Sequence, residues 1–420
     1  MLETFSLLPG ITLRCYRDTR FKQGCLSLQL VRPMCRQEAG LNALIPAVLL
    51  RGCDTAPDLR SITQRLDDLY GASIGTLVRR VGDYQTTGLY CSFISDRFAM
   101  AGDEVLMPML DFLAELLFHP IVEKGGFSKS FVESEKKNLI CAIEAQRNDK
   151  RAYASAQLLK HMCAKDSFGV PRLGEVSQVK KITAKKAYDH YQKILEQSQI
   201  DLFYVGEAEP AAVAQGLTAL FAPLKRQYSP LPAQTPFQPA EGGVHREQME
   251  VAQGKLAMGF TTDITVTDPR FAAMQVCNTV FGGGMTSKLF MNIREKQSLC
   301  YDIGSSYYGS KGIVTVSAGI DCDKAELVQE EILAQLKACC AGELTENELT
   351  AAKEALLSGL RSTHDSPGAI ENYYATTALS GLGLTPADYM QRVRQVTAQQ
   401  VALAAQSLRK HTVYFLEGAL

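Results

Sequence analysis

The chain has 420 residues, of which 46% are hydrophobic and 21% charged, and a formal net charge of −1. This length holds two or three domains, and this apolar fraction builds an ordinary globular core. A near-neutral balance with Lys and Arg spread along the chain excludes nucleic acid as the main partner, and the longest apolar run, Ala43 to Leu50, is far too short to span a membrane.

The opening MLETFSLLPG has no cationic segment and no long apolar run, so no signal peptide is expected. Arg14 to Arg20 and Cys25 to Arg32 read as the first two strands of an antiparallel sheet, with Leu26, Leu28 and Leu30 alternating with polar residues. Gly40 to Leu50 is an apolar helical stretch, and Asp58 to Leu69 an amphipathic helix that stops at Gly71. Ser73 to Arg80 and Tyr84 to Ser95 form a hairpin across Gly82-Asp83. Helices are expected over Arg97 to Phe118, Ser128 to Asn148, Ala152 to Cys163 and Thr183 to Leu195, then a strand from Asp201 to Val205.

Between Ala222 and Gly243 the composition changes to five prolines without helical periodicity, an extended semi-rigid linker. The boundaries are therefore 1–222 for a first domain, 223–243 for the linker and 244–420 for a second domain. After it come a strand (Lys255 to Thr262), a helix (Pro269 to Phe281), a hairpin (Ile303 to Tyr308 and Ile313 to Ile320), and helices over Lys324 to Cys340, Glu346 to Leu360, Ala369 to Ser380, Pro386 to Gln395 and Ala398 to Leu408. The last strand is Thr412 to Leu416.

The two halves read as copies. Val179, Ile182, Thr183 and Ala184 announce a helix and then the strand LFYVGE; Val393, Val396, Thr397 and Ala398 announce a helix and then VYFLEG. A duplicated unit explains this pattern. The expected fold class is α+β, with two homologous domains, each a mostly antiparallel sheet with helices packed on one face.

The stretch Phe281 to Gly319 carries the candidate chemistry. Gly282, Gly283 and Gly284 allow positive φ and close backbone approach; a helix follows, with Arg294 near its end and Tyr301 where the chain turns extended. The loop is not a phosphate loop of the GxxxxGK[ST] type, because Lys288 follows Ser287 rather than a glycine. The bland reading of Arg294 and Tyr301 is surface packing. Of the six His (119, 161, 190, 245, 364 and 411), none forms HxxxH or HxxE with another plausible ligand, so no metal site is expected among them. Cys300 has no His close in sequence, and nothing around it indicates the depressed pKa that a nucleophilic thiol needs. The twelve cysteines lack CxxC pairs with zinc-finger spacing, Cys339 and Cys340 are adjacent, and reduced thiols in a cytoplasmic protein are the expectation. No cofactor is expected.

This order of elements, and the string GGGMTSKLFMNIREKQSLCY, resembles the pitrilysin/insulinase family of inverzincin peptidases over nearly the whole chain. The resemblance implies two α+β domains, with HxxEH on a helix of the first, its two His binding zinc and its Glu activating water, and a further zinc-ligand Glu on a later helix. Here the two His positions fall on Ala43 and Ala47, the base on Pro46 and the further ligand on Ala142. Glu135 matches a family Glu; Glu144 reaches the ligand position only by a two-residue slip, which turns it about 200° round the helix. Methyl groups do not coordinate zinc and proline takes no proton, so the catalytic metal site is read as absent. Arg294 and Tyr301 match the family's second-domain Arg and Tyr, which hold substrate backbone opposite the zinc. The resemblance thus implies a non-catalytic subunit lending this clamp to a zinc-bearing partner in a heterodimer that acts on peptides. It is also similar to bacterial partner subunits described as associated with 5-aminopentanol modification of elongation factor P. The rival expectation is a structural or peptide-binding scaffold of the same fold with no role in hydrolysis.

Overall fold

The computed structural model describes residues 2–418. The strands are β1 (Leu2–Leu8), β2 (Ile11–Arg17), β3 (Gln23–Pro33), β4 (Ser73–Val81), β5 (Tyr84–Ile94), β6 (Val122–Glu123), β7 (Gly126–Phe127), β8 (Gln199–Gly206), β9 (Gly243–Met249), β10 (Gly254–Thr261), β11 (Asp302–Tyr308), β12 (Ile313–Ile320) and β13 (Arg409–Gly418). One sheet runs β1-β2-β8-β3-β5-β4 and the other β11-β12-β10-β13-β9; β6 and β7 form a small hairpin of their own. Read from its parallel end, the second sheet (β9-β13-β10-β12-β11) repeats the order β2-β8-β3-β5-β4 of the first. The equivalent pairs β2/β8 and β9/β13 are parallel and the other sheet pairings antiparallel. This is the mixed α+β class with antiparallel-rich sheets that the patterning gives.

Several elements differ from the sequence reading. The sequence reading placed no strand over β1 or β9. A helix also covers Pro210–Phe221. The helix expected from Arg97 starts at Leu106: a short 3-10 turn at Asp96–Phe98 precedes it, Gly102 takes φ 95°, and Asp96 Oδ1 accepts from the Val105 and Leu106 N–H groups at 2.9 Å.

The chain separates into two compact units that do not follow the linear halves. One comprises Met1–Glu144, Val170–Gln234 and His364–Leu379; the other comprises Ala145–Gly169, Thr235–Thr363 and Ser380–Leu420. The expected boundary in 223–243 therefore misses an exchange of two segments, each built around one helix.

In the first unit, Leu26, Leu28, Leu30, Leu89 and Leu202 of the sheet pack with Leu44, Met109, Leu110 and Tyr191 of the helices. The opposite face of that sheet is also covered. Cys25 and Val205 meet Ile370 and Tyr374 of the helix Pro367–Ser380. Glu371 of the same helix is fully buried, accepts from Ser27 Oγ (2.7 Å) and Gln29 Nε2 (2.9 Å), and pairs bidentately with Arg79 (3.0 and 2.9 Å). Ser27 and Gln29 are the polar residues that alternate with the leucines of β3.

The second unit has the same build. Leu256, Met258, Phe260, Val314, Val316, Val413 and Phe415 face the helices Phe271–Gly282 and Ala325–Ala341. The other face, at Ala257, Tyr414 and Leu416, meets Ala154 and Leu158 of the helix Lys150–Met162. Gly259 lies so close to that helix that a Cβ would stand 2.6 Å from Met162 Sδ. Behind it, the buried Lys311 ammonium is 3.2 Å from Asp166 and donates to the Thr235 carbonyl at 3.0 Å. No helix among the described residues is long and apolar enough to cross a membrane.

Candidate functional site

Arg294 sits in a π-helical stretch, Phe290–Lys296. Such widened turns recur at functional positions because they rotate side chains out of the ordinary helical register. Its guanidinium stands over the Phe290 ring, 4.6 Å from the centroid, and 3.8 Å from the Glu295 carboxylate, and remains 41% exposed. Two residues beyond its end stands Ser298, a non-glycine residue with φ 52°. The Ser298 N–H donates to the Arg294 carbonyl (3.1 Å) and the Leu299 N–H to the Ile293 carbonyl (3.0 Å). This reversal buries Cys300 and delivers Tyr301 to the start of β11, where its N–H donates to Gly319 O at 2.8 Å.

The Tyr301 side chain is 53% exposed. Its hydroxyl donates to Asp321 Oδ1 at 3.0 Å, and Asp321 Oδ2 accepts from Lys324 Nζ at 2.7 Å. The hydrogen bond to Asp321, and that carboxylate's charge, raise the phenol above its ordinary pKa, so it stays a protonated donor through the neutral range. The bonds from Lys324 and Tyr301 hold the Asp321 carboxyl below its usual value. Burial pushes the Cys300 thiol up to about 11, with Asp302 adding to the rise and the nearby Arg294 charge opposing it. A thiol held there is no nucleophile at neutral pH.

The glycines work differently from the expectation. None of Gly282, Gly283 and Gly284 has positive φ. Gly282 is required by packing, since a Cβ would come within 2.7 Å of Leu289 Cδ1 and Ser305 Oγ; at Gly283 it would come within 2.6 Å of the Thr279 Cα; Gly284 faces open space. Close approach, and not a left-handed turn, is the reason for the first two. The residue that adopts the left-handed conformation is Ser298.

A second cation lies on the neighbouring sheet face. Arg151, from the helix Lys150–Met162, donates from Nε to Ser317 Oγ at 3.1 Å and lies 3.4 Å from Asp302 Oδ1; Lys255 Nζ is 3.8 Å from Asp302 Oδ2. Sequence reading missed Arg151, Asp321 and Lys324. The hairpin register, with Asp302 opposite Gly319, was the available signal for Asp321; Arg151 had none, because only the exchanged helix brings it there.

The zinc-motif positions are all described. Ala43 and Pro46 are buried in the helix Ala39–Leu49, Ala47 is half-buried, and Ala142 is exposed on the helix Lys129–Ala145. None carries a lone pair for a metal, and Pro46 lacks even a backbone N–H. Glu135 is engaged elsewhere, 3.5 Å from Arg51 Nη1 and accepting from Asn138 Nδ2 at 3.1 Å, and Glu144 is exposed. Among the described residues no three His, Cys, Asp or Glu are grouped to hold a metal ion. The residues present do not fit a zinc ion.

Residues 181–356 match the family model described as the peptidase M16 inactive domain. The chain also matches, full length, a protein of Enterococcus faecalis V583 (TM-score 0.92, 27% identity, 100% of this chain and 99% of the other) and an M16 inactive-domain structure from Pseudomonas fluorescens (TM-score 0.81, 18% identity, 100% and 98%). The fold is that of the M16-like peptidases. Within that fold, a probable inactive metalloprotease of Bacillus subtilis strain 168, YmfF, is 29% identical over 412 residues, covering 97% of this chain and 96% of its own. These matches support the insulinase/pitrilysin family. The descriptions of the matching family model and of this Bacillus subtilis relative support reading the chain by itself as an inactive metallopeptidase homologue.

Proposed function

We propose that this chain is the non-catalytic subunit of a cytoplasmic heterodimeric zinc endopeptidase, forming half of its chamber and binding peptide backbone through Arg294 and Tyr301. One observation carries the reading: a chain whose described residues group no three His, Cys, Asp or Glu for a metal ion presents an exposed guanidinium on a π-helical turn and, one reversal later, an exposed phenol held as a protonated donor. A guanidinium fork can donate to neighbouring peptide carbonyls, and a phenolic hydroxyl would donate to an oxyanion at the scissile carbonyl, with a partner's zinc supplying the activated water. Gly282 and Gly283 let the loop pack closely, and Gly284, which faces open space, leaves room beside it for substrate backbone.

The competing reading is a peptide-binding scaffold, and the Tyr301–Asp321 bond favours it, because the hydroxyl has to leave Asp321 to serve an oxyanion. The deciding experiment isolates the chain with whatever zinc-bearing subunit co-purifies and assays peptide cleavage. Tyr301→Phe is expected to lower kcat by about 10²-fold, the loss typical of one oxyanion donor. Arg294→Ala is expected to raise KM as well. Unchanged kinetics in both variants, with the heterodimer intact, would favour the scaffold.

A further inference from the structure

The first unit contains a cavity of about 680 Å³ that the reading above does not use. The β6–β7 hairpin, the start of the helix Lys129–Ala145 and the segment leading into the helix Ala184–Gln197 line it. Six lysines face it, against Glu123 and Glu133, in a chain whose net charge is −1. Lys136 is 9% exposed and builds the wall: its ammonium donates to the Ile182 carbonyl at 2.8 Å and to Glu133 at 3.1 Å. Lys185 pairs with Asp189 at 3.0 Å. Lys124, Lys129, Lys180 and Lys181 are exposed and make no ion pair among the described residues.

The backbone around the cavity points the same way. Two helices, of 17 and 14 residues, begin at its edge. Helix N-termini carry partial positive charge and N–H groups without helical partners, and chains ordinarily place Asp or Glu in the first turn; in the second helix Thr183 Oγ1 accepts one of these, from the Lys186 N–H at 3.2 Å. Neither helix has an acid there; Lys129 opens one, and Lys185 and Lys186 follow Ala184 in the other. Cations at these positions oppose the helix dipole in the chain alone and become favourable when an anion sits between them. The hairpin is fitted to the spot as well. Lys124 and Gly125 turn it with φ of 52° and 75°. Gly126 lies against the first turn of the helix, where a Cβ would come within 3.0 Å of Lys185 N and Cα.

We propose that this cavity binds an oligophosphate, a ligand carrying several phosphate groups in series. Lysines on three separate elements suit a chain of charges better than a single phosphate, and the volume leaves room for one. The same chemistry comes from free inorganic oligophosphate or from the phosphate chain of a nucleotide.

Calorimetric titration of the full chain with tripolyphosphate, at constant ionic strength, tests the proposal. Saturable one-to-one binding is expected. It should weaken at least tenfold in the double variant Lys129→Gln/Lys181→Gln and stay unchanged in Lys337→Gln, an exposed lysine of the other unit. The double variant should melt no lower than the parent, because Lys129 opposes a helix N-terminus and Lys181 is exposed without an ion pair among the described residues. Adenosine triphosphate binding as tightly as tripolyphosphate, with adenosine inert, assigns recognition to the phosphate chain; tenfold tighter binding of the nucleotide assigns it to a nucleotide. Absence of saturable binding by both phosphates, or full affinity in the double variant, would overturn it.

Discussion

His190 is a buried histidine whose Nε2 donates to Asn42 Oδ1 at 2.7 Å; Asn42 Nδ2 in turn donates to Gln85 Oε1 at 2.8 Å, and Gln85 Nε2 to the Ala39 carbonyl at 3.0 Å. The chain of bonds ties the helix that carries Ala43 and Ala47 to the sheet and uses the neutral imidazole. Burial pushes the His190 pKa from 6.5 down to about 4, with the Glu38 carboxylate opposing. The unfolded chain therefore takes up a proton that the folded chain refuses. Stability from this group is complete above pH 6.5, falls as the pH drops from 6.5 toward 4, and levels off below; the full loss is about 3 kcal/mol. Urea midpoints across that range should fall more steeply for the parent than for His190→Gln, whose amide still donates to Asn42; parallel curves would refute the assignment. Glu371 makes a second residue-scale case. Glu371→Ala leaves Arg79, Ser27 and Gln29 without the carboxylate they share, and the expected loss is about 3 kcal/mol in urea unfolding. A shift below about 0.5 kcal/mol, the level of ordinary surface changes, would mean the network contributes nothing.

Among the elements, the helices Lys150–Met162 and Pro367–Ser380 decide the most. Each belongs to the compact unit built mainly from the opposite half of the chain. Residues 1–222 made alone would leave Cys25, Ser27, Gln29 and Val205 facing water, and residues 244–420 alone would leave Ala257, Tyr414 and Leu416 so. Neither half should unfold cooperatively when expressed by itself, whereas the two co-expressed should recover the parent's near-ultraviolet circular dichroism and single transition. A lone half with a sharp thermal transition and native amide protection would contradict this.

For the molecule as a whole, the absence of any cluster of three His, Cys, Asp or Glu among the described residues gives a simple expectation. Chelation with EDTA is expected to leave the melting temperature unchanged, since an ion stabilises the fold only where the folded chain offers it a site. Elemental analysis finding about one zinc per chain, lost on mutating a histidine, would overturn the inactive assignment.

The sequence alone determined the duplication and the α+β class, and it suggested the linker and the loss of the zinc motif. These are local facts: side-chain alternation at period two, helix signals at Thr183 and Thr397, proline density, and the chemistry of Ala43, Pro46 and Ala47. It also marked Arg294 and Tyr301, but not what holds them. The tertiary structure decided what covers each sheet. Ser27 and Gln29 read as a solvent face because polar residues alternate with leucines, yet they are buried, since Glu371 arrives from far along the chain to satisfy them. Arg151 reaches Asp302 and Ser317 by the equivalent exchange in the other unit. Alternation tells which residues share a face; it does not carry the partner's address, because the covering helix is set by packing and hydrogen bonds made only after the chain has closed.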